Sequence, residues 1–135
     1  MTGLEIIEKY PLSIKIIREW YQAKMLEALS DKSISEEFAT YMIDQGIPDD
    51  LIISTLEDNP RMLFDILDAN ELYIHIVPIS PNKGIMKFLV GIDTLESLDD
   101  TPSRQYSTRK EAERFAIEVA FDILEQKLRK DEENN

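Results

Sequence analysis

The sequence predicts an α+β fold in which N-terminal helices pack with a two- or three-stranded antiparallel sheet covered by a long C-terminal helix. Apolar residues recur at three- and four-residue steps from Ala112 to Leu128, which is typical of a helix laid against a core. At Asn70 the pattern changes from helical steps to alternation. We therefore expect a helical subdomain at 1–70 and a hairpin or meander plus helix at 71–130, which form one compact unit, and a flexible tail at 131–135.

The first half of the chain is predicted to be helical. A short lead over residues 4–9 has Thr2 and Glu5 at capping-box spacing. The apolar stripe of residues 12–29 predicts the first of four further helices with short connections. Trp20, the single tryptophan, is expected to anchor this helix in the core.

The other three helices of this half are marked by their start signals. Ser33 and Glu36 have capping-box spacing for a helix over about 34–45. Pro48 and Pro60 fit the first turns of the next two helices. The residues expected on the buried side of the helix over 34–45 are Phe38, Tyr41, Met42 and Ile43.

The second half begins with strands. Residues 72–77 are rich in β-branched and aromatic residues, and Pro78 and Pro81 are expected to end this strand at a sheet edge. Residues 85–92 form the second strand, and residues 104–106 can add a short third one. Leu72, Ile74 and Ile76 are expected to face one side of the first strand. On the second strand, one face is formed by Met86, Phe88, Val90 and Ile92. Leu89 indicates that the other face is partly covered.

The last helix has the clearest signals. Thr108 and Glu111 have the spacing of a capping box at its start. Small side chains at Ala112, Ala116 and Ala120 lie on its inner side and would let it sit close to a sheet.

The composition is that of an acidic, cysteine-free chain of 135 residues with a net charge of −12. The first 70 residues contribute −8 and the remainder −4, so the field repels phosphate backbones and anionic membranes. The absence of cysteine excludes disulfide scaffolds and thiol catalysis. The sequence predicts neither a signal peptide nor an apolar run of membrane-spanning length. The acidic charge either keeps the protein soluble or forms a surface that binds a basic protein partner.

No motif for catalysis or metal binding stands out. His75 is the single histidine and lacks companions for a zinc site, so we expect a structural role. The acidic clusters do not follow the spacing of a calcium loop, and the four glycines are isolated. We therefore predict a protein that is not an enzyme and needs no cofactor or metal.

The candidate nucleic-acid contacts are Arg104, Arg109, Lys110 and Arg114, at the start of the last helix, where backbone amides favour phosphate. The order helix, strand, strand, short strand, helix and the stretch Ser107-Thr108-Arg109-Lys110-Glu111-Ala112 resemble a double-stranded-RNA-binding domain. The resemblance implies that this helix start touches phosphates across a groove. Glu111, Glu113 and an acidic preceding loop depart from the family pattern, so nucleic acid is the second choice of partner.

The stretches Tyr106-Ser107-Thr108-Arg109-Lys110-Glu111-Ala112-Glu113 and Asn59-Pro60-Arg61-Met62-Leu63-Phe64-Asp65 carry another resemblance. They are similar to small α+β proteins of unassigned activity that phages and mobile elements of gut bacteria encode. This resemblance implies an accessory protein of the bacterial cytoplasm or the virion.

Three functional hypotheses remain open. The first is an acidic accessory protein that acts through a protein–protein interface. The alternatives are a nucleic-acid-binding module and a structural virion component that self-associates. The identity of the partner and the oligomeric state stay open at this point.

Overall fold

The computed structural model describes residues 2–95 and 104–134 and has the predicted α+β fold. The elements are α1 (Gly3–Lys9), α2 (Pro11–Ser30), α3 (Glu36–Gln45), α4 (Asp49–Asp58), a 3₁₀ turn (Pro60–Leu63), α5 (Phe64–Ala69), β1 (Tyr73–Asn82), β2 (Ile85–Asp93), β3 (Gln105–Tyr106) and α6 (Arg109–Glu133). Most of the predicted acidic loop before the third strand, residues 96–103, lies outside the described part of the chain.

The sheet is antiparallel with strand order β1-β2-β3, and α6 covers one of its faces. Ile76 stands opposite Val90 and Ile74 opposite Ile92 in the β1–β2 register. Of the predicted apolar side chains, Ile74, Ile76 and Phe88 pack against the core, and Val90 and Ile92 are buried in it. Ala112, Ala116 and Ala120 of α6 are completely buried, which confirms the close packing expected from small side chains.

Strand β1 is longer than the sequence predicts, because neither Pro78 nor Pro81 ends it. Pro78 pairs with Phe88 in the β1–β2 register. Proline is tolerated here because β1 is an edge strand, whose outward positions donate no ladder hydrogen bond. The chain then reverses at Lys83-Gly84, where Gly84 has a φ of 83°, a conformation that glycine adopts without strain.

The β1–β2 hairpin extends past the start of α6. The guanidinium of Arg109, the first residue of α6, lies 5.2 Å from the ring centre of Phe88. Residues nearer the hairpin turn are therefore beyond the helix. Met86, predicted to face inward, is 53% exposed for this reason, and that prediction is wrong.

The N-terminal helices build the rest of the core against α6. Ile17, Ile52, Leu63 and Phe121 come from four different elements and are almost fully buried. Trp20, expected to be a core anchor, is half-buried at the rim and packs edge-on against Tyr21 at a centroid distance of 5.1 Å.

Helix α3 differs most from the prediction. It begins at Glu36 with Ser35 as its N-cap, whose hydroxyl accepts a hydrogen bond from the Phe38 amide at 3.1 Å, so Ser33 is not the cap. Ala39 and Met42 are its buried residues. Phe38, Tyr41 and Ile43 are exposed, contrary to expectation, because α3 packs chiefly against α2 along one narrow side.

Helix α6 continues to Glu133, past Leu128 where its apolar stripe ends. Residues 131–133 of the predicted flexible tail are therefore helical. The terminal turns are made of charged residues with good helix propensity, which can extend a helix without packing.

Candidate interaction surfaces

The buried carboxylate of Glu125 is a structural group. Its side chain on α6 accepts hydrogen bonds from the amides of Leu12 and Ser13 at 2.9 and 3.0 Å. These are the free N–H groups at the start of α2, where Tyr10 provides no side-chain cap. Glu125 is 3% exposed and its oxygens are engaged inside the fold, so it serves to hold α2 against α6.

Two neighbouring contacts reinforce this arrangement. The Tyr10 hydroxyl donates a hydrogen bond to Asp122 of α6 at 3.0 Å. Burial, together with the Asp122 carboxylate, raises the pKa of Tyr10 to about 12. At the start of α1, the amide of Gly3 donates to Glu57 of α4 at 2.9 Å. Glutamates from distant helices thus complete the starts of both N-terminal helices.

His75 pairs with one acidic side chain across the β1–β2 ladder. Its Nε2 lies 2.5 Å from a carboxylate oxygen of Asp93 on the neighbouring strand, and the side chains are 49% and 27% exposed. Within residues 2–95 and 104–134, no group of three or more histidine, cysteine or acidic residues could hold a metal ion. The pair bridges two strands on the sheet surface.

The predicted nucleic-acid contacts lie around the start of α6: Arg104 precedes β3, Arg109 and Lys110 begin the helix, and half-buried Arg114 lies in its second turn. We call this group, together with the two lysines of the hairpin, the basic end. It comprises Lys83, Lys87, Arg104, Arg109, Lys110 and Arg114. Arg104 lies over the ring of Tyr106 at 5.3 Å and Arg109 over that of Phe88 at 5.2 Å, so these two guanidinium groups are held by aromatic faces. Lys110 is exposed on the first turn of α6.

The sequence did not predict the two hairpin lysines of the basic end. The Lys87 ammonium group donates to the Ser107 hydroxyl at 3.0 Å, just before α6. The contact follows from the pairing of Phe88 with Tyr106, which aligns β2 with the start of the helix. A prediction of the strand register could have found it.

Alternate residues of the β1–β2 hairpin form an apolar surface on the side opposite the core, which we call the outer sheet face. Ile74, Ile76 and Phe88 pack against the core from the inner side, so their neighbours point outward. The outward side chains are Tyr73, His75, Val77 and Ile79 on β1, and Ile85, Lys87, Leu89 and Asp93 on β2. Tyr73, Val77 and Ile85 are 39%, 48% and 45% exposed, whereas Leu89 is half-buried.

A second exposed surface lies on α3, and we call it the α3 outer face. It consists of Glu36, Glu37, Phe38, Tyr41 and Asp44. Tyr41 is 62% exposed and Phe38 47% exposed. An open depression runs along this side of the helix and is lined by Tyr41, three acidic residues and the uncharged polar residues Ser35, Thr40 and Gln45.

The two surfaces differ in charge. Residues 31–58, which include α3 and α4, contain eight acidic residues and one lysine, a net charge of −7. Residues 73–93, which form the hairpin, contain two lysines and one acidic residue, Asp93, a net charge of +1. The acidity of the chain is therefore concentrated around α3, and the sheet surface is free of it up to Asp93.

Comparisons with known proteins give no relative from which a role could be transferred. No protein-family model, curated protein or solved structure matches the chain. Among the helices of the described residues, none is both long and apolar enough to cross a membrane.

Proposed function

We propose that the protein is a non-enzymatic binding protein that contacts a partner protein through the α3 outer face. The observation that carries the proposal is the exposure of Tyr41 and Phe38 on a short helix whose ends both carry acidic residues. Exposed aromatic residues contribute much of the binding energy of protein interfaces. Their position on a helix gives them a fixed spacing.

The charge around α3 favours a basic partner. Glu36 and Glu37 lie at the start of α3 and Asp44 in its last turn, about 10–12 Å away along the axis. A partner segment with lysine or arginine at a similar spacing and apolar side chains between them would match both the acids and Tyr41. Opposite potentials would also accelerate the encounter of the two proteins.

Site-specific photo-crosslinking in a lysate of expressing cells tests the proposal. A photoreactive phenylalanine analogue would replace Tyr41, and a matched protein would carry it at Met62, which is 48% exposed on the 3₁₀ turn. We expect a discrete, nuclease-resistant adduct from position 41, in which the captured chain has a basic apolar segment, and none from position 62. Equal adducts from both positions, or none from position 41, would contradict the proposal.

A second function, contact with nucleic acid through the basic end, is favoured by the position of Lys87. Its contact with Ser107 brings a cation to the segment that leads into Arg109 and Lys110, which widens the group expected from sequence. Cations near a helix start can neutralise backbone phosphates. Glu111 and the overall charge of −12 oppose such binding, so this proposal stands second.

An electrophoretic titration with duplex RNA and duplex DNA at low salt tests the second function. We expect the Lys87→Glu/Lys110→Glu variant to lose at least about tenfold in affinity, because two phosphate contacts become repulsive. Lys127→Glu is the control, because Lys127 lies on α6 away from the basic end. Its ammonium nitrogen is 3.7 Å from a carboxylate oxygen of Glu71. Unshifted duplexes, or equal losses in the two variants, would contradict it.

The cellular setting is likewise a proposal. The resemblance to phage and mobile-element proteins, the absence of cysteine and the acidic composition support an accessory protein of the bacterial cytoplasm or of a virion.

A further inference from the structure

We propose that the outer sheet face of one copy of this chain binds the α3 outer face of a second copy, head to tail. The inference rests on the proposed function in one respect, because it uses the α3 outer face as a binding surface. It adds two points: the partner is a second copy of the chain, and the outer sheet face is a second binding surface.

Charge complementarity is the first argument. The α3 outer face carries three acidic residues and no base, whereas the turn end of the hairpin carries Lys83 and Lys87. Asp93, the single acid of β1 and β2, lies at the other end of the hairpin and pairs with His75. A basic apolar surface is the chemistry that the α3 outer face requires, and this chain displays one. The overall repulsion between two copies of charge −12 is screened beyond about 10 Å at 0.1 M salt, whereas contacts between the two faces act within that range.

Shape is the second argument. A helix packed on a sheet is a standard layer arrangement, and each copy has one exposed helix face and one exposed sheet face. The ten residues of α3 span about 15 Å, and the seven residues from Tyr73 to Ile79 span about 23 Å, so the sheet can accommodate the whole helix. Lys87 lies near the start of β2 and Lys83 in the turn before it, so both cations are at one end of the hairpin.

The geometry determines the kind of assembly. The two faces differ from each other, so each copy can use both at once, and the contact is heterologous. Heterologous contacts give open chains or closed rings. Because α3 is short, the buried area falls in the small class of interfaces, and we expect association in the micromolar range.

Sedimentation velocity of the full chain from about 5 to 500 μM provides the first measurement. We expect the weight-average sedimentation coefficient to rise with concentration at 50 mM NaCl and to rise less at 500 mM NaCl, because salt screens the charges. A wild-type protein that stays monomeric over the whole range would overturn the inference.

Two variants test the head-to-tail geometry. Phe38→Ser/Tyr41→Ser removes the aromatic residues of the α3 outer face, and Val77→Glu/Lys87→Glu makes the outer sheet face acidic. Each alone is expected to be monomeric, with a dissociation constant raised at least about tenfold. Their equimolar mixture is expected to form a 1:1 dimer and nothing larger, since one intact face of each kind remains.

A mixture that stays monomeric, or single variants that associate as the wild type does, would overturn the geometry. Substituted side chains in both variants are partly or fully exposed, and circular dichroism confirms folding before each run. The result is independent of the crosslinking test. If wild-type protein is monomeric but position 41 captures another basic protein, this inference fails and the proposed function stands. If neither occurs, both fail.

Discussion

The Glu125 carboxylate shows how much a single residue can do that an apolar pattern does not reveal. Glu125 follows the buried Leu124 and would be assigned to the solvent side of α6 by composition alone. In the structure it is buried and accepts hydrogen bonds from the two free amides at the start of α2. Its role depends on a partner more than one hundred residues away, so local sequence carries no signal for it.

Replacing Glu125 with alanine is expected to destabilise the protein by about 1–3 kcal/mol, because buried amides of Leu12 and Ser13 lose their acceptor. Urea denaturation followed by circular dichroism measures the change. Glu132→Ala, exposed on the last turn of α6, is the control and should lie within about 0.5 kcal/mol of wild type. Equal effects of the two substitutions would show that the cap contributes little.

At the scale of elements, the close approach of α1 to α4 depends on the absence of a side chain at Gly3. A Cβ there would lie 3.0 Å from Ile53 Cγ2 and 3.2 Å from Ile53 Cα. The backbone atom cannot move aside as a flexible side chain could. The Gly3 amide also bonds to Glu57, so α1 is held to α4 at this point.

We therefore expect Gly3→Ala to cost about 1–3 kcal/mol, although alanine is the better helix former. Thermal unfolding against wild type provides the measurement. Leu4→Ala, a change at a 52% exposed neighbour on the same helix, is the control and should alter stability little. A Gly3→Ala protein as stable as wild type would mean that α1 shifts freely on α4.

The sequence predicted those elements whose signals are local. The Thr2–Glu5 capping box is present, and Thr108 accepts from the Glu111 amide as its spacing indicates. The errors arise where neighbours decide. Whether α3 buries Tyr41 depends on how much of α2 it covers, and whether proline ends β1 depends on which edge of the sheet it occupies. The sequence predicted only part of the basic end. Arg109 and Lys110 are adjacent in the sequence, whereas Lys87 is more than twenty residues away and reaches the same segment only through the strand register.

At the scale of the whole molecule, the charge distribution sets how stability responds to salt. Asp44 and Asp58 lie in the last turns of α3 and α4, where the helix dipole disfavours acids. They also belong to the most acidic part of the chain. Salt therefore weakens two repulsions. One acts among the acidic side chains, and the other acts between these aspartates and the negative C-terminal ends of their helices.

Raising NaCl from about 20 mM to 500 mM is expected to increase the free energy of unfolding by about 1 kcal/mol. The Asp44→Lys/Asp58→Lys variant should be more stable than wild type at low salt, and its free energy of unfolding should change less with NaCl. Glu36→Lys/Asp50→Lys makes the same charge change in the first turns, where acids are favourable, and is expected to lower stability. Urea titrations at the two salt concentrations decide; a wild-type stability that falls with salt would refute the argument.

The caps supplied by distant glutamates have a consequence for synthesis on the ribosome. Leu12 leaves the exit tunnel 113 residues before Glu125, so α2 first emerges with its starting amides unsatisfied. Contacts between such widely separated residues also slow folding. A nascent chain stalled before α6 should therefore remain accessible to chaperones and proteases, and the start of α2 is completed only when the turn of α6 that carries Glu125 has been made.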